Sequence, residues 1–485
     1  MIRRLKFLKN ILMSRPKKDI IAIVGTTGVG KSQFSIDLAK AVNGEIINAD
    51  SMQMYKGLDQ ITNKHPLDER KGIPHHVMNH VNWNEEYHIH KFAQDANRAI
   101  DEIHSRNKVP IIVGGTHYYL SSLLFDNKTI GATKELELME QNGSTQTNEL
   151  KTDQIQILDG PVDQIFETLQ AIDPIIAEKF HPKDKRKLRR ALEIYYTTNK
   201  KTSDIYLEQK LDELEDSSLR FNTLVFWVYS DSEVLRSRLD TRVDKMMDQG
   251  AVDEIRELYK FYQDQTPEKP DLTTGIWQVI GFKEFWEWLE TGTESDFQNG
   301  VEKMKIRTRQ YAKSQVKWIK KLLATELVKE ARFNYKHGGK MYLLDATDLS
   351  EWKENVFEIG EKITQQFLAS GPASVTYPQA PEHYKDIFPT AEYVDGRKSN
   401  KKIGAESDWK HFKCDICKDK NGNPFVAIGE EQFKIHTEGR RHKRQLGAKD
   451  KKRKHEEYMT ANKTRKAEAV GAEAAAAASS DSYID

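Results

Sequence analysis

The chain is poor in cysteine, in net charge and in long apolar runs. Only Cys414 and Cys417 occur among its 485 residues. So close a pair in so large a chain builds no disulfide framework, which points to a reducing compartment and to a metal as the reason for the spacing. No apolar run approaches the roughly 18 residues that a membrane-crossing helix needs, so no membrane partner is expected. A formal net charge of +1 removes bulk charge as a reason for binding nucleic acid and shifts the question to its distribution. Arg440, Arg441, Lys443, Arg444, Lys449, Lys451, Lys452, Arg453 and Lys454 crowd one end, with Asp450 the sole acid among them.

What is present begins with IAIVGTTGVGKS, Ile21 to Ser32. A β-branched run (Ile20, Ile21, Ile23, Val24) ends at Gly25, and Gly25-x-x-x-x-Gly30-Lys31-Ser32 opens into the helical pattern Phe34, Ile36, Leu38, Ala39. A strand, a Gly-rich loop and a helix in that order make a phosphate cradle from the backbone N–H groups of Gly25, Thr26, Thr27, Gly28, Val29, Gly30, Lys31 and Ser32. Lys31 adds a point charge, and the Ser32 hydroxyl can hold Mg2+.

Ahead of this loop, residues 1–18 carry Arg3, Arg4, Lys6 and Lys9 with no acid before Asp19, and Ile2, Leu5, Leu8 and Leu12 recur at helical spacing. Such a basic amphipathic segment fits a mitochondrial presequence, to be set aside from the fold. Initiation at Met13 instead of Met1 would remove most of it, so forms in the mitochondrion and the cytoplasm are expected. Beyond the loop, Ile46 and Ile47 form a second strand ending near Asp50, and VPIIV, Val109 to Val113, a third ending in Gly114-Gly115-Thr116. In an open α/β sheet, residues past the strand C-termini line the ligand crevice, which puts Asp50, Ser51, Gln53 and Thr116 beside the phosphate cradle. Asp50 could equally cap a following helix. His75, His76, His88 and His90 read as ordinary polar residues, with no carboxylate or cysteine at a ligand spacing.

Residues 131–155 read as a polar loop, followed by helices over Val162 to Leu169, Pro174 to Phe180 and the basic Asp184 to Thr197. With no strand between 114 and 220, residues 131–220 read as an inserted helical domain dividing a catalytic core of 19–130 and 221–367. A fourth strand, Phe221 to Ser230, leads through Ser232 as a cap into a long helix with Leu235, Leu239, Met246, Ile255 and Leu258 inward. A helix from Val301 interleaves Arg307, Arg309, Lys313 and Lys317 with Tyr311 and Trp318, which suits RNA or an ordinary charged outer face. A fifth strand, Met341 to Asp345, and a helix from Trp352 to Phe367 complete a parallel, doubly wound sheet.

A Pro-rich linker, 368–405, precedes Cys414-x2-Cys417, eighteen residues, and His436-x5-His442. Zinc takes four such ligands at tetrahedral corners, with Trp409, Phe412, Phe425, Phe433 and Leu446 as the small core of a finger over 406–448. The loop is longer than the roughly 12 residues of the usual nucleic-acid-binding finger and resembles the long-loop C2H2 fingers of RNA-associated proteins. The tail, 449–485, is basic and then Ala/Ser-rich, and its basic part fits a nuclear-localisation patch.

GTTGVGKS, NADSMQMYKGLD, GIPHH, VGGTHYY, RRALEIY, RVDKMMDQG, GIWQVIGFKE and TRQYAKSQVKW occur in this order. Together they resemble the tRNA dimethylallyltransferases, or tRNA isopentenyltransferases, over about residues 20 to 320, and the finger resembles that of eukaryotic members. Thr26 stands where many members have Pro, and Gly28-Val29 where many have Ala-Ser. The resemblance implies an α/β fold with a P-loop-type parallel sheet flanked by helices, an inserted all-α domain and a C-terminal zinc finger. It implies transfer of a dimethylallyl group from dimethylallyl diphosphate to N6 of the adenosine 3′ of the anticodon, by a protein expected to be a monomer. A poor amine nucleophile needs a base, for which Asp50 is the candidate. Growing diphosphate charge needs donors: the loop, Lys31, Mg2+ on Ser32, Thr27 and an arginine. Family similarity makes that arginine Arg242; composition does not choose it over Arg238. Asp50, Ser51, Met52, Gln53, Thr116, Arg190, Gln278, Arg309 and Lys313 are the implied contacts to the tRNA anticodon stem-loop. An ATP-using kinase or NTPase, a relative that prenylates free adenine nucleotides and an RNA chaperone without catalysis are the alternatives.

Overall fold

The structure, a computed structural model, describes residues 17–126, 150–206, 216–265, 270–389, 410–418, 422, 424–451 and 457–459. The expected targeting segment up to residue 16, with Met13, lies outside the described residues, as do Trp409 and most of the basic and Ala/Ser-rich tail. The chain divides into two compact units, residues 1–143 with 209–399, and residues 144–208 with 400–485.

The first unit is built on a six-stranded parallel sheet in the order β3-β2-β4-β1-β5-β6. Its strands are β1 (Asp19–Gly25), β2 (Gly44–Asn48), β3 (His75–His76), β4 (Val109–Val113), β5 (Asn222–Tyr229) and β6 (Gly338–Asp345). Central β1 is apolar at consecutive positions because both of its faces are covered. Ile20, Ala22 and Val24 join one core with α2 (Ile89–Ser105) and α3 (His117–Leu124), whereas Ile21 and Ile23 join another with α1 (Lys31–Ala41). Five of the strands match those expected; the sixth is a correction. His75 and His76, read from sequence only as ordinary polar residues because two residues are too few to display an alternating pattern, pair with Ile46 and Ile47 as an edge strand.

Three further differences have local causes. Asp231, not Ser232, caps the helix after β5, its carboxylate accepting from Glu233 N at 2.9 Å. The long helix expected there is two, α4 (Ser232–Met246) and α5 (Val252–Asp264), broken where Gly250 adopts φ 104°. The basic and aromatic helix, α6 (Glu294–Trp318), begins seven positions before Val301, with the Thr293 hydroxyl accepting from Asp296 N. Where the sequence suggests a linker from 368, α7 (Ile359–Ser370) is still running, and the chain to residue 389 lies on β6 and β5. Leu343 N donates to Gln379 O at 2.7 Å, and Tyr384 and Phe388 meet Tyr229 and Trp227 edge-on.

The second unit is helical from Thr152–Asp159, inside the expected polar loop, through Val162–Ile172 and Pro174–Lys179 to Lys185–Thr198. Asp173 and Asp184 cap the last two. Leu158, Ile165, Leu169, Ile176, Leu188 and Leu192 form its core. It also holds the antiparallel pair β7 (His411–Lys418) and β8 (Pro424–Ile428), followed by a helix, Glu430–Glu438. The ring of His411 donates from Nε2 to Phe180 O at 2.8 Å and lies against Phe166, so the finger packs on the inserted helices.

Candidate active site

Parallel strands bring their C-terminal ends to one edge of the sheet, and three loops meet there. The phosphate loop follows β1, the segment from Ala49 follows β2, and Gly114-Gly115-Thr116 follows β4. Ala49 N donates to Val113 O at 2.7 Å and Thr116 N to Ala49 O at 3.2 Å, which joins the second and third loops. Beyond them lies a cavity of about 250 Å³ lined by Thr27, Gly28, Gly30, Lys31, Ser32, Asp50, Gln53 and Arg242 among others. Eight residues expected from sequence to act together therefore share one wall-to-wall space.

Each is held in a distinct way. Lys31 Nζ donates to Thr26 O at 2.6 Å, folding back over its own loop. Arg242, from α4, donates from Nη2 to Thr27 Oγ1 at 2.7 Å. Asp50 accepts from Met52 N at 3.1 Å, and Asn48, on β2, fixes the Asp50 backbone from both sides. The Gln53 amide nitrogen donates to Thr62 O and Asn63 O at 3.1 and 3.0 Å, leaving its oxygen as the free polar atom of that group. Ser51 N donates to Thr116 Oγ1 at 2.9 Å, tying two expected base-contacting residues together.

Burial pushes the Asp50 carboxyl up, against the opposing pull of the Met52 amide and the Lys31 charge. Burial lowers Lys31 to about 8, with Asp50 resisting and Arg242 assisting. Burial likewise lowers Arg242 to about 10, again resisted by Asp50. A carboxylate that readily takes a proton thus faces two cations, the arrangement of a base opposite an anion site.

The other expected residues fall elsewhere. Gly25 ends β1, Thr26 is buried with an unpartnered hydroxyl, and the Val29 side chain packs in the core beneath the loop. Met52 contributes its backbone, its side chain turning into the core. Arg309 is paired with Asp240 on α4 at 2.5 Å, and Lys313 is exposed one turn further along α6. Gln278 is exposed in a short 3-10 turn, and Arg190, in the second unit, pairs with Glu193 at 3.1 Å.

Several lining residues were not foreseen, Gln315 and His65 among them. Gln315 reaches from α6 to accept from Thr27 N at 2.8 Å and donate to Gly115 O at 3.2 Å. His65 lines the cavity from the loop that Lys64 staples to Tyr55 O and Asp59. A polar side chain at a core position of α6 was the available signal for Gln315.

In the second unit, Cys414, Cys417, His436 and His442 bring their ligand atoms within 4.8 Å of one another. His442 Nδ1 is 3.5 Å from both sulfurs and 3.3 Å from His436 Nε2. Bond lengths of roughly 2.0 Å to nitrogen and 2.3 Å to sulfur, at tetrahedral corners, require separations of roughly 3.3 to 3.8 Å. The donor set therefore fits a zinc ion. Phe425 stacks on His436 and Phe412 on Phe433, whereas Leu446 is exposed rather than part of this small core.

A family model described as IPP transferase matches residues 53–322, and one described as isopentenyl transferase matches residues 18–71. The tRNA dimethylallyltransferase of Saccharomyces cerevisiae is 46% identical over 435 residues, covering 88% of this chain and 92% of the relative. The chain belongs to the tRNA dimethylallyltransferase family. The human family member is 32% identical over 444 residues, with 88% of this chain and 85% of that one covered. Among solved structures, that of a eukaryotic dimethylallyltransferase acting on tRNA matches with a TM-score of 0.75 and 44% identity, over 91% of this chain and 99% of the other. In this family member, residues of the phosphate loop and Asp50 line one cavity.

Proposed function

We propose that this protein transfers the five-carbon group of dimethylallyl diphosphate to N6 of the adenosine 3′ of the anticodon in tRNA. The observation that carries this is a carboxylate, Asp50, sharing one cavity with the anion-holding set Lys31, Arg242 and Thr27. The adenine amine, its lone pair delocalised into the purine, attacks C1 of the allylic group. The N6–C1 bond forms as C1–O breaks, the electron pair leaves with diphosphate, and the N6 proton passes to Asp50. Lys31, Arg242, the Thr27 hydroxyl and loop N–H groups take up the charge that grows on diphosphate. To arrive there the adenine leaves its stack, and Ser51, Thr116 and the Gln53 oxygen would receive it.

Ser32, in the first turn of α1, would hold Mg2+ against the diphosphate, whose charge the ion would help neutralise. Zinc in the finger is structural, and Arg190, Gln278, Arg309 and Lys313 extend the contact to the anticodon stem-loop. The protein acts as a monomer in the mitochondrion and the cytoplasm, with a nuclear fraction, through starts at Met1 and Met13. Immunoblots of fractionated cells showing one size in one compartment would refute the dual start.

The reaction is tested by mass spectrometry of tRNA nucleosides from cells lacking the gene. N6-dimethylallyladenosine should vanish, return with the wild-type gene and stay absent with Asp50→Asn. Persistence in the deletion defeats the assignment.

A further inference from the structure

We propose that Gln315 is a positioning residue of the leaving-group site: it ties up the backbone N–H of Thr27 so that Thr27 meets the diphosphate through its hydroxyl alone. The inference rests on the prenyl-transfer reading above and adds to it a residue 288 positions away from the loop it orders.

Gln315 is 1% exposed and both ends of its amide are used. Oε1 accepts from Thr27 N at 2.8 Å, and Nε2 donates to Gly115 O at 3.2 Å. One partner is a donor and the other an acceptor, so the amide has one orientation that satisfies both. Gly115 must lack a side chain, since a Cβ there would run into Nε2. Tyr311, one helical turn earlier on α6, donates from its hydroxyl to the same Gly115 O at 3.4 Å. The glutamine is therefore seated between two of the three loops that shape the cavity.

The consequence for Thr27 follows from donor counting. Its amide hydrogen is spent on Gln315. Its Oγ1 accepts from Arg242, which can only donate, so the hydroxyl hydrogen is left to point at an acceptor in the cavity. With Thr27 held at both ends, that hydrogen is aimed at a leaving oxygen before any charge develops there. Without Gln315 the Thr27 amide is released to compete for phosphate. Diphosphate is then bound as well or better, but the hydroxyl is no longer aimed.

The test is steady-state kinetics of Gln315→Met, close in volume, and Gln315→Asn, which draws the amide back by one methylene. Melting temperature and tRNA binding serve as controls for folding, and competition by inorganic diphosphate as the probe of the loop. A loss of roughly 30- to 100-fold in kcat is expected, with KM for dimethylallyl diphosphate unchanged or lower and inorganic diphosphate inhibiting at least as strongly. In a double-mutant cycle with Thr27→Ala, the pair should be no worse than the worse single variant, because Gln315 acts through Thr27. Additive losses overturn the proposal, as do kinetics within about threefold of wild type or matched losses in kcat and tRNA binding. Failure of both variants to fold makes the residue structural and also overturns it. Wild-type protein that transfers no dimethylallyl group would instead overturn the prenyl-transfer reading, and is distinguished by the unsubstituted control.

Discussion

Arg242 on α4 donates to the Thr27 hydroxyl on the phosphate loop at 2.7 Å, joining residues 215 positions apart. In the proposed reaction both act on charge that exists fully only as the C–O bond breaks. Arg242→Ala and Thr27→Ala should each lower kcat by roughly 10²- to 10³-fold while tRNA affinity changes little. Single-turnover rates alongside filter-binding titrations measure the two quantities separately. Parallel losses in both would place these residues in tRNA binding.

Activity should depend on pH through Asp50 and Lys31. Asp50 must be ionised to accept a proton, and burial raises its pKa, so the acid limb of kcat/KM should lie above the usual aspartate range. Lys31 must be charged to hold diphosphate, and its free-enzyme value of about 8 should set the alkaline limb. Lys31→Arg should remove that alkaline limb. Lys31→Met should shift the acid limb further upward, because Asp50 loses a cation that favours its ionised form.

Glu45 on β2 gives the fold a distinct acid sensitivity. Burial alone would raise its carboxyl, but hydrogen bonds from Arg106, Lys108 and His76 outweigh this and hold it at about 2, against 4.5 for the unperturbed group. A depressed carboxyl stabilises the native state fully above the unfolded value, and that contribution fades as pH falls from about 4.5 towards about 2. Its size is on the order of 1–3 kcal/mol. Glu45→Gln should lower stability at neutral pH by about that amount and flatten the dependence on acid, as read from urea denaturation at several pH values.

Removal of zinc should affect tRNA capture rather than chemistry. A strong chelator, or Cys414→Ser, should unfold the finger, weaken tRNA binding and reduce its salt dependence, because basic residues near the helix ending at Glu438 lose their arrangement. The rate on saturating tRNA should be preserved. Metal analysis of the purified protein should find a single equivalent of zinc.

Much of this site could be read from sequence because its signals are local. The Gly25 to Ser32 loop, the strands on either side and Asp50 just past β2 each lie within a few residues of the pattern that reveals them. The Gln315–Thr27 hydrogen bond spans most of the catalytic unit, so although Gln315 continues the inward spacing of Met304, Thr308 and Ala312 on α6, nothing near it in sequence names its partner. Gly250 broke a helix whose apolar spacing ran on undisturbed, since periodicity reports a face and not the backbone angle at a single residue. The stretch after 368 was Pro-rich and looked unattached, yet Gln379, Tyr384 and Phe388 lie on the sheet through partners distant in sequence.

The seat of His411 against Phe166 and Phe180 changes how shortened versions of this protein should be interpreted. Cutting the chain before His411 would subtract more than a metal-binding module. It would strip the inserted helices of a neighbour more than two hundred residues downstream and leave Phe180 O without its imidazole donor. A defect in such a truncation would mix two injuries. The cleaner dissection alters the ligands and the seat separately, with His436→Ala for the first and His411→Ala for the second.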